Sequence, residues 1–116
     1  MEKKYKLTEE TININGRTLY RIEVMKDFND VKKGDKGGYV EDEENLSQRC
    51  NCWIYDNAMV CDDAMVYDYA EVYGNAEVYD DAKVFEDARI YGNAKICGIA
   101  WVFDNARVFG NAVVCG

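Results

Sequence analysis

The chain contains no histidine and a single serine, Ser47, and both shortages narrow its chemistry. Without imidazole it lacks the side chain whose ordinary pKa suits a general base near neutral pH. Asp and Glu, ordinarily near about 4, are weak bases on a surface that offers little burial to raise them. One serine supplies no nucleophile–base pair, and Gly34 to Gly38 lacks the Lys-Ser/Thr ending of a phosphate loop and reads as a turn. No apolar run approaches the roughly 20 residues of a membrane span, and Lys3-Lys4-Tyr5-Lys6 does not open a signal peptide. The sequence therefore predicts a cytoplasmic chain, away from membranes, with reduced cysteines. Bases are scarce in one half only. Residues 51–116 hold 11 acids and 4 bases, against 11 and 10 in residues 1–50, so the net charge of −8 sits almost wholly in the second half. That charge disfavours direct nucleic-acid binding, and the small clusters Lys3, Lys4, Lys6 and Lys32, Lys33, Lys36 read as solvated lysines.

What is present is a comb. Every alanine falls on one six-residue spacing, from Ala58 through Ala64, Ala70, Ala76, Ala82, Ala88, Ala94, Ala100 and Ala106 to Ala112. Two residues after each stands a β-branched aliphatic, Val60 to Val84 and on through Ile90, Ile96, Val102 and Val108 to Val114. Cys52 and Ile54 form one more, degenerate hexad. Small, then outward, then β-branched is strand alternation, so each hexad is one short strand plus a corner. A second period counts the corners. Asn57, Asn75, Asn93 and Asn111 recur every 18 residues, as do Gly74, Gly92 and Gly110, so three hexads close one coil. Stacked coils bury the aliphatics inside a solenoid with three flat sides.

The stretch Val72-Tyr-Gly-Asn-Ala-Glu77 resembles the hexapeptide repeat of left-handed parallel β-helix proteins, over Cys50 to Gly116. The resemblance implies an all-β, three-sided left-handed parallel β-helix of about 3.5 coils. One departure is the residue after the aliphatic, usually small in that family and here Tyr55, Tyr67, Tyr73, Tyr79, Phe85, Tyr91, Phe103 or Phe109. With Gly34-Asp35-Lys36-Gly37-Gly38-Tyr39-Val40 and Asn45-Leu46-Ser47, the chain is similar to small hexapeptide-repeat proteins of bacteria and their phages, several of them labelled transferases. Acyltransferases of this class would use a His base, and carbonic anhydrases on the same scaffold would hold zinc with His. Neither residue exists here, and no cofactor or metal is expected.

A solenoid this short needs a cap. Residues 1–48 supply one, and the repeat occupies 49–116. Thr11-Ile12-Asn13-Ile14, the pair Asn15-Gly16 and Arg17 to Met25 predict a β-hairpin with a type I′ turn, and Asp27 to Asn45 reads as turns. Among the cysteines, Cys50 and Cys52 straddle the start of the repeat, while Cys61, Cys97 and Cys115 share one column with Tyr79. Cys97 and Cys115 would stack about 4.8 Å apart, close enough for a disulfide, but the compartment favours buried or ladder thiols.

Threading the repeat by 18 places Asp62, Asp63, Asp80 and Asp81 on one edge and Asp68, Glu86, Asp87 and Asp104 on the next, with no base on either. Between them lie Met65, Tyr67, Phe85, Trp101 and Phe103, with Lys83 among them. Two acidic rails flank an aromatic strip, and contiguous exposed apolar patches mark interfaces. The predicted function is a non-enzymatic acidic binding protein that occupies a basic nucleic-acid-binding surface of a host protein. By analogy with phage-related chains of this size and charge, that means an inhibitor of the anti-CRISPR or anti-restriction type, acting in the host cytoplasm if phage-encoded. The alternative is a structural or oligomerisation β-helix module; a hexapeptide acyltransferase is disfavoured by the missing His. The last coil offers Val102, Val108, Val113 and Val114 as an oligomer interface, predicting a tail-to-tail homodimer, with a side-by-side trimer through the strip as the rival.

Overall fold

The computed structural model describes residues 3–116, so the first two residues of the expected cap lie outside the described residues. Its strands are β1 (Tyr5–Ile14), β2 (Arg17–Val24), β3 (Lys36–Val40), β4 (Trp53–Ile54), β5 (Met59–Val60), β6 (Met65–Val66), β7 (Glu71–Val72), β8 (Glu77–Val78), β9 (Lys83–Val84), β10 (Arg89–Ile90), β11 (Lys95–Cys97), β12 (Trp101–Val102), β13 (Arg107–Val108) and β14 (Val113–Cys115). From β4 onward each hexad is one strand and one corner, as the comb requires. Three parallel sheets result, β3-β5-β8-β11-β14, β4-β7-β10-β13 and β6-β9-β12. The chain is a β-solenoid of about four turns, with Val60 over Val78 and Val78 over Ile96 in register. Alanines 58 to 94 of the comb are fully buried, as are Ile54, Val60, Val72, Val78, Val84, Ile90 and Ile96. At about 1.5–3 kcal/mol for each buried aliphatic, this interior column is the main source of stability.

The hairpin forms as expected. β1 and β2 pair antiparallel across Asn15 and Gly16, whose φ values of 52° and 82° are those of a type I′ turn. Rather than sitting apart, the hairpin extends the first solenoid sheet through β3, which pairs antiparallel with β2 and parallel with β5.

β3 corrects the reading of residues 27–45 as turns. Lys36–Val40 is a strand because its two glycines permit a close approach. A Cβ on Gly38 would lie 2.4 Å from the Ala58 carbonyl oxygen, and one on Gly37 2.6 Å from the Ile54 oxygen and from Trp53 Cζ2. Gly38 thus stands at the small-residue place of the comb, under Ala58, and Val40 under Val60. The ladder reaches upstream of Cys50 with a 20-residue step: Val40 pairs with Val60 and Leu46 bridges Val66. The two surplus residues fall between Leu46 and Trp53, where Cys50 has a φ of 59°.

The first coil is closed by buried polar groups. Asn45, 1% exposed, accepts from the backbone N–H groups of Glu41 and Asp42 and donates to the carbonyls of Asp62 (3.1 Å) and Ala64 (2.8 Å). Lys4 is also 1% exposed, which corrects its reading as a solvated lysine. Its ammonium donates to the carbonyls of Cys52 (2.7 Å), Cys50 (3.2 Å) and Arg49 (3.4 Å) and sits 4.9 Å from the centre of the Phe28 ring. Burial lowers its pKa, opposed by the neighbouring Cys52. A single lysine so satisfies three coil-edge carbonyls, of which the Cys52 carbonyl is buried.

At the other end, Cys97 and Cys115 face each other in register on β11 and β14, 4.6 Å apart at Cα, within the span of a disulfide. The pair stacks on adjacent coils as the column predicts, and the remaining cysteines, Cys50, Cys52 and Cys61, stand apart from it as free thiols. Cover is thin here. Ala106 and Ala112 are exposed, unlike the earlier alanines of the comb, and Val108 and Val114 are half-buried. Among the described residues no helix is long and apolar enough to cross a membrane.

Candidate interaction face and its acidic corners

The sheet β6-β9-β12 carries the predicted strip. Register places Met65, Lys83 and Trp101 in one outward row, while Val66, Val84 and Val102 point inward. The residue after each valine turns out beside that row. Tyr67 stacks on Phe85 (5.0 Å between ring centres, planes 1° apart) and Phe85 on Phe103 (5.4 Å, 11°), while Trp101 meets Phe85 edge-on at 5.9 Å. Trp101 is 61% exposed, Phe103 42% and Met65 39%. The rings in the second row cover one another's faces, contributing about 0.5–1.5 kcal/mol per pair, so what they present outward is largely edge. Trp101 and Met65 offer the free apolar surface. The other aromatic column behaves as a ladder alone: Tyr73, Tyr91 and Phe109 stack at 4.9 and 5.3 Å, with Tyr55 edge-on below.

The corners hold a feature that spacing alone does not reveal. Asp62, Asp68, Asp80, Glu86 and Asp104 all have φ between 57° and 60°, the left-handed region that makes the turn. Four of these carboxylates also accept the backbone N–H of the residue one coil above. Asp68 accepts from Glu86 (3.1 Å), Glu86 from Asp104 (2.9 Å), Asp62 from Asp80 (3.0 Å) and Asp80 from Gly98 (2.9 Å). Glu41 begins the second series by accepting from Asp62 at 2.8 Å. Each amide dipole lies between two stacked carboxylates and lessens their repulsion, so the rails have a reason to exist within the fold. On the third corner only Asp56 plays this part, accepting from Gly74; above it Gly74 and Gly92 crowd the next coil so closely that a Cβ on Gly74 would stand 3.0 Å from Gly92.

Asp62 is less available than its rail suggested. The Arg17 guanidinium, reaching over from the hairpin, pairs with Asp62 at 2.9 Å and Glu41 at 3.2 Å, which corrects the expectation of an edge without bases. Among the described residues Asp63, Asp68, Asp80, Asp81, Glu86, Asp87 and Asp104 make no ion pair. Of these, Asp63, Asp81 and Asp87 are exposed and also free of the corner ladder. Burial, with Asp68 and Glu86 alongside, raises the pKa of the Tyr67 hydroxyl, which ties the aromatic row to its acidic border.

The structure brings the strip and both rails together but places the four valines differently. Val102 is 5% exposed, Val108 and Val114 are half-buried, and only Val113, 63% exposed, is freely presented. Among the described residues no group of His, Cys, Asp or Glu converges on a metal position. The contacts missed in the sequence are those of Arg17 with the acidic corner and of Lys4 with the first coil, made across distances in sequence that no local pattern marks.

The family described as the YdcK β-solenoid repeat matches residues 100–116. The "Uncharacterized acetyltransferase YdcK" of Escherichia coli strain K12 is 39% identical over 62 residues, covering 47% of this chain and 19% of the relative. The chain thus spans about a fifth of that relative's length. Repeat, stacked coils and these matches fit a hexapeptide-repeat β-solenoid family labelled as transferases.

Proposed function

We propose that this β-solenoid is a non-catalytic binding module, whose face around Trp101 and Met65 docks a basic protein while the acidic corners steer and orient it. The observation that carries this reading is the pair of exposed apolar side chains Trp101 and Met65, with Lys83 between them in the row, bordered by unpaired Asp63, Asp81 and Asp87. Apolar surface supplies affinity at such an interface, and flanking charge supplies on-rate and choice of partner. Imitation of phosphate rows against a nucleic-acid-binding host effector is the narrower form of this reading, and it rests on the net charge of −8 alone. The relative's name supports acyl transfer as a rival, yet these 116 residues include no histidine to serve as its base.

Capture from bacterial lysate on the wild type and on a Trp101→Lys/Phe103→Lys variant tests the proposal. Proteins with basic isoelectric points should be enriched on the wild type, released as salt rises past about 0.15 M, and lost on the variant. The same proteins on both baits would overturn it.

Assembly is the second reading, favoured by the last coil. Residues 99–116 carry one acid, Asp104, and one base, Arg107, so this coil is neutral in an otherwise acidic solenoid and a second copy can approach it without charge repulsion. Val113, exposed on the outward side of β14, would lie at the rim of such a tail-to-tail contact.

A further inference from the structure

The last coil is the least covered part of the solenoid interior. Ala106 and Ala112 are exposed, Val108 and Val114 half-buried, and β14 pairs with β11 alone. A cysteine pair also spans β14 and β11. Cys97, 4% exposed, lies on the well-packed β11, and Cys115, exposed, lies on β14; they face each other in register 18 residues apart. The loop they close contains Trp101 and Phe103, half of the aromatic strip.

We propose that Cys97 and Cys115 form a reversible thiol–disulfide site that staples the coil between them, so that oxidation orders residues 99–114 and reduction loosens them. The geometry suits exchange. A Cα separation of 4.6 Å lies within the range a disulfide spans without moving the backbone. One of the two thiols is open to solvent, where a disulfide oxidant such as oxidised glutathione can reach it. The Cys115 thiolate attacks one glutathione sulfur and releases a glutathione thiolate. The Cys97 thiolate then attacks the Cys115 sulfur of the mixed disulfide and releases the second. Two thiols are oxidised, one glutathione disulfide is reduced, and the two protons end on the two glutathiones. Closing this loop removes conformations from the opened coil and shifts its equilibrium toward the stacked state. If the aromatic strip binds as proposed above, its outermost rows are complete only in the oxidised chain, a consequence that rests on that reading.

Hydrogen exchange on the full chain in glutathione buffers, read by mass spectrometry, decides the matter without any partner. The oxidised chain should be lighter by about 2 Da and yield a Cys97–Cys115 cross-linked peptide, and its amides over 99–114 should exchange roughly tenfold or more slowly than in the reduced chain. A Cys115→Ser variant, altered only at an exposed position, should show the reduced pattern in both buffers, whereas Cys50→Ser should respond like the wild type. Two free thiols at 97 and 115 in oxidising buffer, equal exchange in both buffers, or a response surviving in Cys115→Ser would each overturn the proposal. Since exchange is read without a partner, a failed staple is distinguishable from a failed binding face.

Discussion

Glu86 donates its backbone N–H to the carboxylate of Asp68, one coil below, at 3.1 Å, and both residues hold left-handed corner backbone, with φ of 57° and 59°. One side chain therefore does two jobs, making the turn and satisfying an amide of the next coil. Asp tolerates that backbone better than most residues, and its short carboxylate reaches the amide above. Asp68→Ala should lose both contributions and destabilise by about 1–2 kcal/mol, whereas Asp68→Gly should recover the backbone part and cost less. Urea midpoints in which Gly is no better than Ala would remove the left-handed share of the argument.

The interior column tolerates no charge. Val78 is fully buried between Val60 and Ile96, so Val78→Asp should unfold the solenoid, while Glu77→Lys on the outward side should shift the melting temperature by no more than a degree or two. Circular dichroism on the two variants checks this; similar melting curves would mean the column is not the core.

Gly38 is required by contact rather than by φ. With a Cβ placed 2.4 Å from the Ala58 oxygen, Gly38→Ala must push β3 from β5 and should cost at least about 2–3 kcal/mol. The comparison is Gly34→Asn, a turn position with φ of +96° and open space around it, which should cost clearly less by thermal melting.

Buried Lys4 and half-buried Cys61 give opposite alkaline trends. Lys4 has a lowered folded-state pKa, so between that value and its ordinary 10.5 the unfolded chain binds more protons and stability gains as pH rises. The Cys61 thiol is pushed up to about 12, chiefly by burial, with Asp62 and Glu41 adding to it. Above the thiol's ordinary 9.0 the folded chain holds the extra proton, and stability falls as pH rises. Chemical denaturation from pH 8 to 11 should show Cys61→Ala declining less steeply than the wild type above pH 9. Lys4→Met should lack the lysine's gain and fall further behind the wild type with pH. Parallel curves for all three proteins would refute the assignments.

Light scattering separates the routes of assembly. Tail-to-tail association predicts a dimer broken by Val113→Lys and unaffected by Trp101→Lys, and association through the aromatic face predicts the reverse. A monomeric wild type removes the assembly reading altogether.

The coil period, the inward column and the aromatic strip were all legible in the residues. Alternation and an 18-residue period are local properties of a chain whose neighbours in space are its neighbours in the repeat, so Val78 over Val60 or Phe85 over Tyr67 follows from counting. The hairpin was legible for the same reason, since Asn15 and Gly16 make their turn locally. Tertiary structure decided what counting cannot reach. Lys36–Val40 looks like a turn until Ala58 and Ile54 come close enough that only glycine fits, and the 20-residue first coil hides the register of Val40 under Val60. Lys4 finds the Cys52 carbonyl 48 residues away and Arg17 the carboxylates of Glu41 and Asp62, partners chosen by where the hairpin lands. The acidic corners show the division within single residues: their charge and spacing are written in the sequence, but a carboxylate becomes a backbone cap only when the next coil sets an amide 3 Å above it.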